Sequence, residues 1–305
     1  MTTMRWLPSS INSIGGSEMA KNRYAYFPGC VTLNSAREVQ DAMLALARAL
    51  DIELVPLNGA SCCGAGVIKQ ANWELQIALN ARTFAQAEAQ GLDVLTPCAS
   101  CQGNMSEDFN RLTDDVDLRE RVNEQLESIC GLRFEGTMKM RHLLHVLVED
   151  IGLDVVSAAV KNPIDFPVAG YYGSVMQQDG ACGDDDIYDP HYFEDLIEAL
   201  GGQSVNYDSK AKSVGFPSLL SEESSALKMT AAVLSDAKSE GARVMASACP
   251  LSHINLDTYQ VKAGRVAGSD VEMPAIHLPE LIAFALGAYK ERYAQLKTRV
   301  LVMGN

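Results

Sequence analysis

The chain has 305 residues, 47% of them hydrophobic, and a formal net charge of −14. This length is enough to bury a substantial core and predicts one large or two modest domains. The negative charge argues against nucleic-acid binding, because a phosphate backbone requires a basic protein surface. No uncharged apolar run approaches about 18 residues, so the sequence predicts no transmembrane segment.

The first 20 residues predict a disordered N-terminal extension. They contain Arg5 and Trp6 but no apolar stretch of the kind that a signal peptide requires. Disulfides are rare in reducing compartments, and this chain combines eight cysteines with no export signal. We therefore expect free thiols and a cytoplasmic location.

Three short apolar stretches in the first half predict β-strands, at residues 24–27, 51–57 and 93–96. A helix between the first two strands is predicted to start at Asn34 or Ser35, because its apolar residues recur with helical spacing. A second helix is expected over residues 72–90, with Trp73, Ile77 and Phe84 directed inward. Strands that alternate with helices predict a right-handed parallel sheet.

The middle of the chain predicts more helix and then a connection. Residues 107–130 indicate a charged helix, and residues 138–151 indicate an amphipathic helix with Leu143, Leu144 and Leu147 on its apolar face. Residues 162–167 hold two prolines and are the predicted linker between the halves.

Five of the eight cysteines form one spaced pattern, C-x31-CC-x34-C-x2-C, made by Cys30, Cys62, Cys63, Cys98 and Cys101. Each group follows a predicted strand, and open α/β sheets build their sites at the carboxyl ends of strands. A disulfide framework is typical of small, oxidised domains, and a four-cysteine zinc site leaves one thiol over. Five soft thiolates favour an iron–sulfur cluster. Zinc with a spare thiol and reduced structural cysteines remain the alternatives.

The second half of the chain resembles the first. Residues 169–174 match residues 25–30, and three further pairs share one offset of 151 residues: 62–64 with 213–215, Cys98 with Cys249, and Asn104 with Asn255. Such agreement at several positions indicates an internal repeat. The second copy lacks four of the five thiols, because those positions hold Ser174, Ser213, Val214 and Ser252.

With these motifs the chain resembles the CCG-domain family, the cysteine-rich repeat found in heterodisulfide reductase B subunits and their relatives. The resemblance runs from about residue 24 to residue 287. It implies two pseudo-repeated α/β domains, 21–162 and 163–305, each a small parallel sheet with flanking helices. It also implies one noncubane 4Fe–4S cluster, held by Cys30, Cys62, Cys63, Cys98 and Cys101.

The resemblance is strongest to the B-type subunits of heterodisulfide-reductase-like complexes of sulfur oxidisers, because the second copy cannot hold a full cluster. It implies thiol, disulfide or persulfide redox chemistry on sulfur carried by a small thiol or a lipoyl-type carrier. The implied partners are the other subunits of such a complex, including a ferredoxin-type iron–sulfur subunit. The alternative is a non-catalytic electron-transfer or scaffold subunit, or a zinc-binding structural one.

The remaining candidate residues lie around this site or apart from it. Gln102 and Asn104 are candidates for hydrogen bonds to cluster sulfurs or for helix capping. Cys249 is the candidate catalytic thiol, and an unremarkable cysteine in an α/β loop is the alternative. A protonated His253 close by would lower the pKa of Cys249, and the alternative for His253 is a core or surface histidine. Cys182 lies in an acidic loop that we expect to be solvated, and carboxylates there disfavour a reactive thiolate. Cys130, at the end of a charged helix, is expected to be structural.

Overall fold

The computed structural model describes residues 22–288, so the predicted N-terminal extension and residues 289–305 lie outside the described residues. Two four-stranded sheets, both wholly parallel, form the centre of the fold. Their strand orders are β2-β1-β3-β4 and β6-β5-β7-β8, which are the same order in the two halves of the chain. The predicted class, α/β with two small parallel sheets and flanking helices, is confirmed.

The strands are short and follow one another along the chain as Asn22–Tyr26 (β1), Ile52–Pro56 (β2), Val94–Thr96 (β3), Met140–His142 (β4), Pro167–Tyr171 (β5), Gln203–Ser204 (β6), Val244–Ser247 (β7) and Ala275–His277 (β8). The central strands β3 and β7 are buried along their whole length. Parallel strands covered by helices on both faces require such continuous apolar runs.

The helices of the first half are Cys30–Asn34 (α1), Arg37–Ala49 (α2), Val67–Ala71 (α3), Trp73–Glu88 (α4), Ala99–Asp114 (α5), Val116–Cys130 (α6), Leu143–His145 (α7), which continues as a π-helical turn over Val146–Ile151, and Leu153–Ala158 (α8). The second half contains Tyr192–Ala199 (α9), a 3₁₀ turn at Phe216–Ser218, Glu223–Ser239 (α10), Pro250–Asp257 (α11), Gln260–Ala267 (α12) and Leu278–Ala285 (α13).

Two local predictions on the helices are wrong. Helix α2 starts at Arg37 behind Ala36, because Asn34 belongs to α1, where its side-chain amide donates to the Cys30 carbonyl at 2.7 Å. Trp73 is 46% exposed, whereas Ile77 and Phe84 are fully buried. Asn72 caps α4 by accepting from the Leu75 backbone N–H, which leaves the first turn of this helix at the surface.

The single helix predicted over residues 138–151 is also wrong in its first part. Met140–His142 pairs in parallel with Val94–Thr96 and forms β4 at the edge of the sheet. Helix α7 follows directly, and Leu143, Leu144 and Leu147 are buried as the periodicity predicted. Hydrogen bonds to the neighbouring strand β3 determine the extended conformation of this segment. A local pattern of apolar residues contains no information about that neighbour.

The two halves share one hydrophobic core, which extends from residues around β1 and β3 into Tyr172, Phe193 and Phe284. A second core is confined to the second half, between Ala169 and Ala275. The predicted linker is packed, since the backbone N–H groups of Lys161 and Asn162 both donate to the Ala285 carbonyl at 2.9 Å. The predicted boundary between the two domains, between residues 162 and 163, stays a prediction, because the two halves pack closely together.

The two halves approach each other closely at Gly103 in α5. A Cβ atom added to Gly103 would lie 2.0 Å from the Val175 carbonyl oxygen. Only a residue without a side chain allows α5 to approach the loop after β5 this closely.

We expect Gly103→Ala to lower the free energy of unfolding by about 2 kcal/mol, because the backbone of the second half must move to admit the methyl group. The sign is informative, since the same change in an unconstrained helix raises stability by about 0.5–1 kcal/mol. Urea unfolding followed by circular dichroism measures the difference. Gly66→Ala is the control, since no atom lies within 4 Å of its added Cβ. A Gly103→Ala variant as stable as the wild type would contradict the close packing of the halves.

Candidate metal centre

The predicted ligand cysteines all lie just beyond the carboxyl ends of β2, β1 and β3, which are neighbours in the sheet. Cys30 starts α1, Cys62 and Cys63 follow β2, and Cys98 and Cys101 lie at the start of α5. Gly29 is at φ +80°, and a Cβ there would lie 3.1 Å from the Cys101 Sγ atom. A glycine therefore allows the loop after β1 to lie against the thiols of α5.

The structure brings these five thiols together and adds a sixth, that of Cys249. Successive contacts run Cys30–Cys62 at 3.6 Å, Cys62–Cys63, Cys63–Cys101 at 3.4 Å, Cys101–Cys98, and Cys98–Cys249 at 3.9 Å. We call these six residues the cysteine row. Cys130 and Cys182 lie outside it.

Burial increases along the cysteine row. Cys30 and Cys62 are half-buried, whereas Cys63, Cys98 and Cys101 are each 4% exposed and Cys249 is fully buried. One end of the row therefore reaches the surface, and the other ends inside the junction between the two halves.

The thiols of the row change one another's pKa. The contact with Cys30 lowers the pKa of Cys62, and the same contact raises that of Cys30. Likewise the contact with Cys101 lowers the pKa of Cys98, while the contact with Cys63 raises that of Cys101. Like charges in contact cannot all ionise without a compensating cation. A bound cationic centre is therefore what would allow all of these thiols to act as thiolates.

The loop that carries Cys62 and Cys63 is held by buried amides. The Cys63 carbonyl accepts hydrogen bonds from Asn80 at 3.0 Å and from Asn104 at 2.7 Å. Asn80 in turn donates to Asp108 at 2.6 Å. Asn104 lies within α5 and caps no helix, so that part of its prediction is wrong. Its contact with a cluster sulfur stays a prediction. Sequence reasoning missed Asn80, although its position between Ile77 and Phe84 on the buried face of α4 marks it as a polar residue in the core.

Gln102 also makes hydrogen bonds that connect parts of the fold. Its amide nitrogen lies within hydrogen-bond distance of Ser106 Oγ at 3.2 Å, the Met140 carbonyl at 3.2 Å and the Ala181 carbonyl at 3.3 Å. These contacts connect α5 with β4 and with the second half of the chain. The predicted hydrogen bond from Gln102 to a sulfur is therefore wrong.

The second half keeps the same loop without the thiols. The Val214 carbonyl accepts from Asn255 and from Thr230, both at 2.8 Å, as the Cys63 carbonyl accepts from its two amides. The Ser213 hydroxyl accepts from the Gly215 backbone N–H at 3.1 Å, where in the first half the Cys62 Sγ atom accepts from Gly64 at 3.5 Å. The repeat therefore preserves the hydrogen bonds of the loop while its two thiols are replaced by Ser213 and Val214.

Cys249 is the one thiol of the pattern that remains in the second half. It precedes α11 with the backbone angles that Cys98 has before α5, and its Sγ atom lies 3.1 Å from the Ser100 hydroxyl. Burial raises the pKa of Cys249. The predicted lowering by His253 is therefore wrong: the His253 ring lies 2.8 Å from the Ser247 hydroxyl and stacks on His277 at 3.6 Å.

The acidic loop around Cys182 is solvated at Asp184 and Asp186, as predicted, but one of its carboxylates is buried. Asp185 is only 9% exposed and accepts hydrogen bonds from the backbone N–H groups of Asp186, His191 and Tyr192. Burial raises the pKa of Cys182, and the carboxylates add to that rise. A reactive thiolate there is disfavoured, as predicted.

The residues at the cysteine row fit an iron–sulfur cluster in two respects. Their donors are soft thiols, and the hydroxyl groups of Thr32 and Thr96, each two residues from a row cysteine, are buried with no hydrogen-bond partner. Within residues 22–288 no three His, Cys, Asp or Glu side chains converge as ligands of one metal ion. The thiols form a row instead, which suits a centre with several metal ions better than a single ion.

Comparison with known proteins gives concordant matches. Residues 24–106 match the family model of the CCG cysteine-rich domain. The chain is 32% identical over 269 residues to the 8-methylmenaquinol:fumarate reductase membrane anchor subunit of Wolinella succinogenes, covering 88% of this chain and 93% of that one. It is 30% identical to the B subunit of the ferredoxin:CoB-CoM heterodisulfide reductase of Methanosarcina mazei, covering 87% of this chain and 90% of that one.

A solved structure shares the fold. The crystal structure of a hypothetical protein from Helicobacter pylori superposes with a TM-score of 0.71 at 16% identity, over 92% of this chain. This chain spans about half of that protein, 52% of its length. Within the described part of the chain, no helix is long and apolar enough to cross a membrane.

A buried histidine at the junction of the halves makes stability depend on pH. His142 Nε2 lies 3.0 Å from the Ala248 carbonyl, and its Nδ1 accepts from the Leu144 backbone N–H at 3.1 Å. Burial lowers the pKa of His142 to about 4. The unfolded chain, whose histidines have a pKa of about 6.5, therefore binds a proton that the folded chain excludes.

We expect the free energy of unfolding to fall as pH falls below about 6.5, with His142 contributing a loss of roughly 2 kcal/mol by pH 5. His142→Gln should remove that part of the pH dependence, since its amide keeps a donor for Ala248 but does not titrate. Urea unfolding at pH 7 and pH 5 measures the effect. His191→Gln, at an exposed histidine, is the control. An equal loss in His142→Gln and the wild type would rule out this residue as the source.

Proposed function

Because this chain belongs to the family of heterodisulfide reductase B subunits and their CCG-domain relatives, we propose that it is the iron–sulfur subunit of a heterodisulfide-reductase-like complex. The observation that carries the proposal is the cysteine row. Five of its members are the cysteines of the CCG pattern, and the structure brings them into contact at the carboxyl edge of one sheet.

In this proposal Cys30, Cys62, Cys63, Cys98 and Cys101 hold one noncubane 4Fe–4S cluster. Bound there, such a cluster supplies one-electron redox chemistry on sulfur. Two features of this chain support a single cluster. The crowded thiols need a cationic centre to ionise together. The matching positions of the second half hold Ser174, Ser213, Val214 and Ser252, which keep the loop but offer no thiolate.

Cys249 is the proposed catalytic thiol. Its Sγ atom lies 3.9 Å from that of Cys98, and it is fully enclosed at the junction of the halves. Exchange with a substrate disulfide there forms an S–S bond to Cys249 and releases the other half of the substrate as a thiol, which takes the proton.

The proposed setting is a complex in the cytoplasm with partner subunits, among them a ferredoxin-type iron–sulfur subunit that exchanges electrons with this chain. Its pathway in the proposal is sulfur oxidation, with thiol- or lipoyl-bound sulfur as substrate. The names of the relatives support the complex, because each describes a subunit of a reductase.

The rival function is electron transfer or scaffolding without catalysis. A cluster sealed by apolar side chains would favour that rival, and a cluster with an open edge favours catalysis. The half-buried Cys30 and Cys62 form such an edge. A zinc-binding structural role is distinguished from both by metal analysis.

We expect about four iron and four sulfide per chain, with little zinc, after strictly anaerobic purification. Cys62→Ser should abolish or convert the iron centre and destabilise the first half, because metal binding is coupled to folding. Cys130→Ser and Cys182→Ser are matched controls outside the row and should retain full iron. One zinc per chain without iron would refute the cluster, and iron loss in Cys182→Ser would refute the ligand assignment.

We expect Cys249→Ser to keep its iron and its fold while thiol- or persulfide-dependent electron transfer in the assembled complex falls by about tenfold or more, because serine cannot form the S–S bond. Reduction of the partner iron–sulfur subunit measures this rate. Turnover within about twofold of the wild type, at full iron content, would retire the catalytic role of Cys249.

A further inference from the structure

We propose that a cavity beneath α2, at the exposed end of the cysteine row, binds a neutral thiol or disulfide with an apolar body. The inference rests on the proposed function and adds to it a binding site and a class of substrate. The cavity, which we call the α2 cavity, is bounded by β1, β2, α2 and the loops that follow the two strands.

The α2 cavity reaches the cysteine row at one end only. Cys30 and Cys62, the two half-buried members of the row, are in its wall, and the four deeper cysteines are not. A ligand in the cavity therefore lies beside the part of the row that solvent can reach. It lies at the opposite end of the row from Cys249, so it would be a second position, separate from the proposed catalytic thiol, at which a sulfur atom would exchange electrons with the proposed centre.

The other end of the cavity extends away from the predicted ligands. Leu54 pairs with Tyr24 in the sheet, two residues before the end of β2, and Leu44 lies in the middle of α2. Both line the cavity, together with Leu57. A cluster held at the strand ends would leave this apolar end available to a ligand.

The walls of the cavity select the ligand. Among the described residues that line it, none carries a charged side chain. Burying an ionised group against such walls carries a large desolvation penalty. A neutral ligand with an apolar body is therefore favoured over an anionic thiol.

A few polar groups are available to orient the ligand. Tyr26 and Gln40 both line the cavity, and the Tyr26 hydroxyl donates to Gln40 Oε1 at 3.0 Å. The amide nitrogen of Gln40 is then the hydrogen-bond donor that this pair offers to a ligand. Asn58 and Ser61 lie at the loop end, next to Cys62. Small-molecule sites of this kind use apolar walls for affinity and a few polar groups for orientation.

The test is isothermal titration of the anaerobic, iron-loaded protein with two ligands of equal chain length, 6-mercaptohexanol and 6-mercaptohexanoate. We expect the neutral thiol to bind about tenfold or more tightly than the carboxylate, because no charged side chain lines the cavity to compensate the desolvation of the anion. 1,6-Hexanediol, which lacks the thiol, should bind more weakly than 6-mercaptohexanol. A neutral naphthoquinone that binds better than the thiol would overturn the assignment to sulfur.

Two variants and a matched control locate the site. Leu44→Glu puts a charge into the cavity and should weaken binding of 6-mercaptohexanol by about tenfold or more, and Ala60→Phe should do so by filling the space. Leu75→Glu makes the same chemical change at a residue outside the cavity that is 48% exposed, and should leave the affinity within about twofold. Ala60→Phe keeps the test valid if Leu44→Glu does not fold.

The outcomes separate this inference from the proposed function. Unchanged affinity in both cavity variants, or equal affinity for the two thiols, overturns the α2 cavity as the site even when iron content is full. Iron loss in Leu44→Glu also overturns it, because the space would then belong to the cofactor. Selective binding by a protein without iron would instead overturn the proposed function and leave the cavity assignment standing.

Discussion

Crowding of sulfur atoms is the constraint on which this site depends. Five thiols lie in successive contact where three neighbouring strands of one parallel sheet end, and the thiol of Cys249, which follows β7 in the other sheet, is the sixth. In water such thiols would separate or ionise one at a time, so the fold must hold them together. Two features of the backbone contribute. Gly29 adopts a positive φ beside α5, and the Cys63 carbonyl accepts hydrogen bonds from Asn80 and Asn104. The metal centre we propose would relieve a repulsion that the protein itself creates.

The sequence was a good guide where local pattern and chemistry agree. Alternating apolar stretches predicted β1, β2 and β3, and the cysteine spacing predicted which loops meet. Prediction from the sequence failed where contacts with residues distant in the chain determine the local structure. The strand β4 exists because β3 lies beside it, and Asn104 donates to a carbonyl 41 residues away in the chain. The α2 cavity could not be predicted from the sequence for the same reason, because its walls come from several separate segments of the chain.

The internal repeat separates what the fold needs from what the proposed chemistry needs. Both halves fix the loop after their second strand through a carbonyl that accepts two side-chain hydrogen bonds, yet only the first half carries thiols there. The second half therefore keeps the structure of the loop without its thiols, and Cys249 is the one thiol of the pattern that it retains. Its shared core and the close approach of Val175 to Gly103 make it the wall against which the deep end of the row is packed.

The gradient of burial along the row has a consequence for damage by oxidants. Oxidation of cysteine to sulfenic and higher acids follows exposure as well as thiolate character. An oxidant that diffuses in from solvent meets Cys30 and Cys62 first, while Cys249 is shielded by the whole junction. One end of the row is therefore open to oxidants and the other is protected. Oxidation would begin at Cys30 and Cys62, beside the α2 cavity, and Cys249 would be oxidised last.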